Sequence, residues 1–190
     1  MEEKFKNKYR ISSTRLAHWD YGSNAPYFVT ICTANREHFL GNIANGIMYV
    51  SEIGAIAQKF WMEIPVHFPF VTVDAFVVMP NHIHGIIVID KPSVETPKLD
   101  VSTDEQSQHQ GLPRLQTSAA TQHWKPQTLG VIINQYKRMV TIHARAKNIH
   151  YKWQPRFHDH VIRNNKAYNT IKQYIVNNPI HWHNDTFNQD

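Results

Sequence analysis

The chain has a single cysteine, Cys32, among 190 residues. That excludes an internal disulfide framework and any zinc site built on several cysteines. It fits a reducing compartment, so a cytoplasmic location is expected. Long apolar runs are also missing. The longest, such as Ala75–Met79 and Gly85–Ile89, fall far short of the ~20 residues that cross a bilayer, and no membrane partner is expected. The chain begins Met1-Glu2-Glu3-Lys4 with no apolar stretch behind it, so no secretory signal is expected. Acids are scarce in the second half. Between Asn134 and Lys172 nine basic residues accompany one acid, Asp159, a local excess of 9 − 1 = +8 in a chain whose total is +5. Such a concentration suits a phosphate backbone, although a solvated basic face carries the same signature.

What is present is ordinary for a folded domain: 42% hydrophobic and 18% charged residues, with 13 histidines. Residues 1–26 read as a polar N-terminal arm. Tyr27–Thr33 is β-branched and aromatic, a strand. Asn35–Asn45 has loop character and Met48–Val50 a short strand. Ser51 is a good N-cap for a helix bearing Ile53, Ile56, Ala57, Phe60, Trp61 and Ile64, closed by Pro65. Val71–Met79 and His82–Asp90 form a hairpin about Pro80-Asn81. Composition then shifts: Pro92–Pro126 holds four prolines, five glutamines and eight Ser/Thr, a flexible insert at 92–126. Thr128 opens a helix running to about Lys147, with Leu129, Ile132, Ile133, Tyr136, Val140 and His143 on one face. His160–Arg163 reads as a strand, and Asn164 or Asn165 caps a last helix stopped by Pro179. The order β-α-β-β-α-β plus a trailing helix is an α+β, ferredoxin-like plan: an antiparallel sheet with helices on one side. The body of the domain spans 27–183, and 184–190 is a tail.

Chemistry concentrates in two places. In Met79-Pro-Asn-His-Ile-His-Gly85, strand alternation turns His82 and His84 to one face, about 6.6 Å apart along the strand, where two imidazoles can share a divalent cation. Two hydrogen-bonded surface histidines would leave the same pattern. On the last helix Tyr174 and Asn178 stand four residues apart on one face. A phenol beside a metal-bound phosphate can be a nucleophile, and an amide oxygen can complete a cation's shell. A tyrosine on an apolar stripe is also ordinary core, and Tyr136 and Tyr168 compete for the role. From Phe76 to Ile89 there is no Asp or Glu, which disfavours a metallohydrolase of small substrates. Candidates for nucleic-acid contact are Lys137, Arg138, Arg145, Arg156 and Arg163 through phosphates, and Trp153 and Phe157 through base stacking. The two aromatics serve equally well as a seal under the last helix.

Five strings occur in order: Tyr27-Phe-Val-Thr-Ile-Cys-Thr33, Phe76-Val-Val-Met-Pro-Asn-His-Ile-His-Gly-Ile86, Trp153-Gln-Pro-Arg-Phe157, Asp159-His-Val-Ile-Arg163 and Tyr174-Ile-Val-Asn-Asn-Pro179. Together they resemble the REP-associated tyrosine transposases, relatives of the single-tyrosine insertion-sequence transposases among the HUH endonucleases. The resemblance spans about Tyr21 to Trp182 without the insert. It implies that 27–183 is an HUH-type nuclease domain. In it His82, His84 and Asn178 hold Mg²⁺ or Mn²⁺, and Tyr174, on the trailing helix, is the nucleophile. The implied substrate is single-stranded DNA beside a REP-like hairpin, cleaved to a 5′-phosphotyrosine and a free 3′-OH. A monomer is slightly favoured over a domain-swapped dimer. Two imidazoles and an amide should hold the cation weakly until DNA phosphate oxygens join. The alternative is a non-catalytic hairpin-binding regulatory module on the same fold.

Overall fold

Alternation along three apolar strands sets the architecture, because each strand offers one apolar set to each face of the sheet. The computed structural model describes residues 4–5, 8–9, 15–92, 127–147 and 149–188. The strands are β1 (Lys4–Phe5), β2 (Lys8–Tyr9), β3 (Ala25–Cys32), β4 (Gly41–Ala44), β5 (Ile47–Val50), β6 (Val71–Val78), β7 (His82–Ile89) and β8 (His158–Val161). The helices are α1 (Glu52–Met62), α2 (Ile64–His67), α3 (Leu129–Ala146) and α4 (Asn165–Asn177). Apart from Pro92, the insert expected at 92–126 lies outside the described residues.

The main sheet runs β6-β7-β3-β8, every neighbour antiparallel. With α1 between β3 and β6 and α3 between β7 and β8, this is the expected ferredoxin-like α+β fold. On one face Tyr27, Val29 and Ile31 of β3 and Ile83, Ile87 and Ile89 of β7 meet α1 and α3 in the principal core. Gly85 belongs to this face, where the indole of Trp61 occupies the space a side chain would need. On the opposite face α4 lays Ile175, Tyr168 and Ile171 over Ile86, Phe28, Ala75 and Val77. His82 and His84 alternate onto that second face.

Local chemistry explains the elements and their departures from expectation. Ser51 caps α1 as expected: its hydroxyl accepts from Gly54 N–H at 3.1 Å and donates to Phe39 O at 2.6 Å. Asn164 likewise caps α4 by accepting from Ala167 N–H at 2.8 Å. Pro65 does not close the first helix. α1 ends at Met62, and Pro65 sits in the first turn of α2, where a missing N–H costs nothing. The loop expected over 35–45 contains β4, which pairs with β5 through Asn45-Gly46, both at positive φ (53° and 73°). That is the two-residue turn that Asn-Gly favours. β8 starts two residues earlier than expected, at His158. The segment from Arg15 to Asn24, assigned to the arm on sequence grounds, packs Trp19 and Tyr21 against the principal core. Among the described residues no helix is long and apolar enough to cross a membrane.

Candidate active site

The site lies where β7, β3, α4 and the chain beyond Trp182 converge. β7 carries His82 and His84, 0% and 2% exposed, with ring centroids 4.4 Å apart. Their second nitrogens are engaged by neighbours. Asn81 Nδ2 donates to Phe187 O at 2.8 Å, so its oxygen faces His82, 2.8 Å from Nδ1. A carbonyl oxygen only accepts, so Nδ1 carries the hydrogen and Nε2 the lone pair. His84 Nδ1 lies 2.8 Å from the Thr30 hydroxyl, its cross-strand partner. This is the outer support that a ligating imidazole needs.

α4 delivers the other two expected residues. The Tyr174 hydroxyl stands 3.2 Å from His84 Nε2, and its ring meets Phe28 edge-on at 6.1 Å. Tyr174 is 45% exposed, open to a substrate. Asn178, one turn on, is 2% exposed, and its side-chain amide favours the ionised form of the Tyr174 phenol. The competing tyrosines are occupied elsewhere. Tyr168 donates to Asp74 Oδ2 at 2.5 Å, and Tyr136, on the other face, donates to Ala57 O at 3.1 Å. Sequence reasoning therefore singled out four residues that the fold brings together.

A fifth group was missed. Asp185 brings a carboxylate oxygen into a set with one nitrogen each of His82 and His84, all within 4.8 Å of one another. Residues 184–188, a tail on sequence grounds, lie against the site. Phe187 packs its ring 4.5 Å from that of His82, Arg36 lies 4.7 Å over the Phe187 ring, and Arg36 Nη1 donates to Thr186 O at 2.9 Å. The absence of an acid along β7 therefore does not leave the site without a carboxylate. The only hint in the sequence is that Asp185 is the first acid after Asp159.

The electrostatics suit a cation. Burial pushes His82 well below the ordinary imidazole range, and burial with the neighbouring His158 takes His84 to about 3, so both rings are neutral. Neutral imidazole is the form that binds metal. His82 Nε2 and Asn178 Oδ1 are buried acceptors with no hydrogen-bond partner among the described residues. Such atoms are costly unless something electropositive reaches them. The residues present thus fit a divalent ion. Burial also raises the Tyr174 phenol, as does the nearby Asp185 charge, while the Asn178 side chain works the other way.

The DNA-contact candidates divide. Arg138 and Arg145 are exposed on α3, in the helical layer opposite the histidine pair, and Arg156 and Arg163 are exposed on either side of β8. Lys137 donates to Gln154 O and Arg156 O at 2.7 and 3.0 Å, and burial lowers its ammonium to about 8. Trp153 donates its indole N–H to Lys137 O at 3.1 Å and packs on Tyr151. Phe157 is half-buried against the principal core beneath Arg15. Register adds two side chains. His158 pairs with Thr30 and His160 with Phe28, which places both exposed rings on the same sheet face as His84.

No family model matches the chain. A Haemophilus influenzae (strain Rd) protein described as uncharacterized is 40% identical over 174 residues, which cover 91% of this chain and 90% of that one. Among solved structures, a REP-associated tyrosine transposase bound to a REP hairpin aligns with a TM-score of 0.55 and 19% identity, over 90% of this chain and 74% of that one. The chain thus belongs to one family with the Haemophilus influenzae protein and has the fold of the REP-associated tyrosine transposase.

Proposed function

We propose that the protein is a divalent-metal-dependent, transposase-like endonuclease and strand-transferase, acting on single-stranded DNA next to a hairpin through a 5′-phosphotyrosine at Tyr174. The observation that carries this reading is the Tyr174 hydroxyl 3.2 Å from His84 Nε2, within a cluster of His82, Asn178 and Asp185. A binding module would have no use for buried, unprotonated ligands beside a half-exposed phenol. A bound cation would polarise the scissile phosphate and offset charge on the departing oxygen. His82, His84 and Asn178 would hold it.

In the chemical step the Tyr174 oxygen attacks phosphorus and loses its proton to solvent. The P–O3′ bond breaks, and the 3′ oxygen leaves with a proton taken back from solvent. One phosphodiester is exchanged for another, so rejoining needs no ATP. The Asn178 amide, which lowers the phenol's pKa, supports the phenolate as it forms. Tyr174 and His84 meet within one chain, as a monomer acting in cis requires. The strand flanking the scissile phosphate would run over the open β3–β8 side, past His158 and His160 and between Arg156 before β8 and Arg163 after it, with affinity drawn mainly from phosphate contacts.

The test is denaturing electrophoresis with Mn²⁺ and labelled single-stranded hairpins drawn from sequence flanking the gene. The expected result is an SDS-resistant protein–DNA band that Tyr174→Phe abolishes while native binding persists. Tight native binding with no covalent band, across metals and flanks, would contradict the proposal and favour a regulatory module.

A further inference from the structure

We infer that Asp185 is a fourth protein ligand to the cation, beside His82, His84 and Asn178, so that the site fills before DNA arrives. This goes beyond the two imidazoles and one amide read from the sequence, and it rests on the metal-dependent reading above. Ligand atoms about 2.1–2.2 Å from one ion stand roughly 3.0 to 4.4 Å apart. A set that already lies within 4.8 Å closes on an ion with shifts of a few tenths of an ångström.

The carboxylate is held in place rather than trailing. Phe187 N–H donates to Asp185 Oδ1 at 2.9 Å, and Asn81 Nδ2 fastens Phe187 O. Arg36 fastens Thr186 O, and the Phe187 ring lies against His82. Asn81 therefore serves both sides of the site, orienting His82 with its oxygen and the carboxylate segment with its nitrogen. A partner that orients one ligand while anchoring the strand of another is what a preorganised metal site contains.

Chemistry points the same way. His82 Nε2 is a buried lone pair with no hydrogen-bond partner among the described residues, and Asn178 Oδ1 is another. The Asp185 carboxylate brings a further acceptor oxygen to these atoms. A divalent ion satisfies all of these atoms at once. Two imidazoles with one carboxylate form a set that first-row divalent metals accept with positions left open. Those open positions are where phosphate oxygens would enter.

The experiment is a Mn²⁺ titration of the DNA-free, EDTA-stripped full chain, followed by electron paramagnetic resonance and by calorimetry. Wild type, Asp185→Asn and His82→Ala are compared, each also with hairpin DNA. Wild type should bind one Mn²⁺ without DNA, Asp185→Asn should bind at least tenfold more weakly, and His82→Ala should lose binding. The inference is overturned if Asp185→Asn matches wild type, or if wild type takes Mn²⁺ only when DNA is present. In either case a loss in His82→Ala leaves the metal-dependent reading intact. Mn²⁺ binding that neither substitution alters overturns both. Asp185 is only half-buried, so the Asn variant keeps the fold, and an unchanged unfolding midpoint verifies this.

Discussion

Replacing Gly85 by alanine should cost the protein about 3 kcal/mol. Gly85 follows His84 on β7 and faces the principal core. A Cβ there would meet Trp61 Cζ2 at 2.2 Å, Cη2 at 2.8 Å and Cε2 at 2.9 Å. Ordinary carbon–carbon contact begins near ~3.5 Å, so the ring or the strand must yield by roughly 1.3 Å. Trp61 has little freedom to do so: it is fully buried, stacked on Phe76 at 5.8 Å and edge-on to Tyr136 at 5.4 Å. Overfilling a packed core typically costs about 1–3 kcal/mol, and a clash with a caged ring belongs at the upper end. With a urea slope of about 2 kcal/mol per molar, the midpoint should fall by about 1.5 M. Trp61→Phe removes the benzo atoms that a Cβ would strike. It sacrifices no hydrogen bond, because the indole N–H is buried without a partner among the described residues. The double variant should therefore recover at least about 1 kcal/mol relative to the sum of the singles. A Gly85→Ala midpoint within about 0.3 M of wild type, or strict additivity, would refute this account of how β7 is seated.

Two further outcomes are expected. Lys137 releases its proton near 8 in the folded chain and near 10.5 when unfolded, so between those values the unfolded chain binds more protons and stability rises with pH. Unfolding midpoints should therefore show wild type gaining on Lys137→Met from pH 8 to 10.5, and a constant difference would contradict the burial of this ammonium. Asn81→Ala frees the His82 ring and unfastens Phe187, and it should weaken Mn²⁺ binding by about 10–100-fold in a calorimetric titration. An unchanged affinity would deny Asn81 its orienting role.

The sheet was legible because its strands alternate cleanly. Tyr27, Val29 and Ile31 go to one face while Phe28, Thr30 and Cys32 go to the other, and the same rule turned His82 and His84 together. The four-residue spacing of Tyr174 and Asn178 was equally local. The resemblance to the transposases chose Tyr174 over Tyr136 and Tyr168, a choice that periodicity left open. What escaped was of two kinds. The β4–β5 hairpin carried a readable signal, Asn45-Gly46 between apolar residues. Asp185 carried almost none, because its place depends on Asn81 and Arg36 capturing the chain beyond Trp182. Contacts of that kind, between segments 106 and 150 residues apart, leave no periodic trace. The occupation of Lys137 by the Gln154 and Arg156 carbonyls, and of Trp153 by the Lys137 carbonyl, is likewise a tertiary fact that residue type does not announce.

The central claim is that Tyr174 takes up the DNA 5′ end. Trypsin separates the two tyrosines of α4, because Lys166 and Lys172 bracket Tyr168 and no Lys or Arg follows Lys172. The most direct measurement is therefore peptide mapping by mass spectrometry after reaction with hairpin DNA and Mn²⁺ and nuclease trimming of the adduct. The account predicts a nucleotide-phosphate mass on the peptide Gln173–Asp190, fragmenting to Tyr174. An adduct on Ala167–Lys172 at Tyr168, or cleaved DNA with no protein adduct, would contradict it.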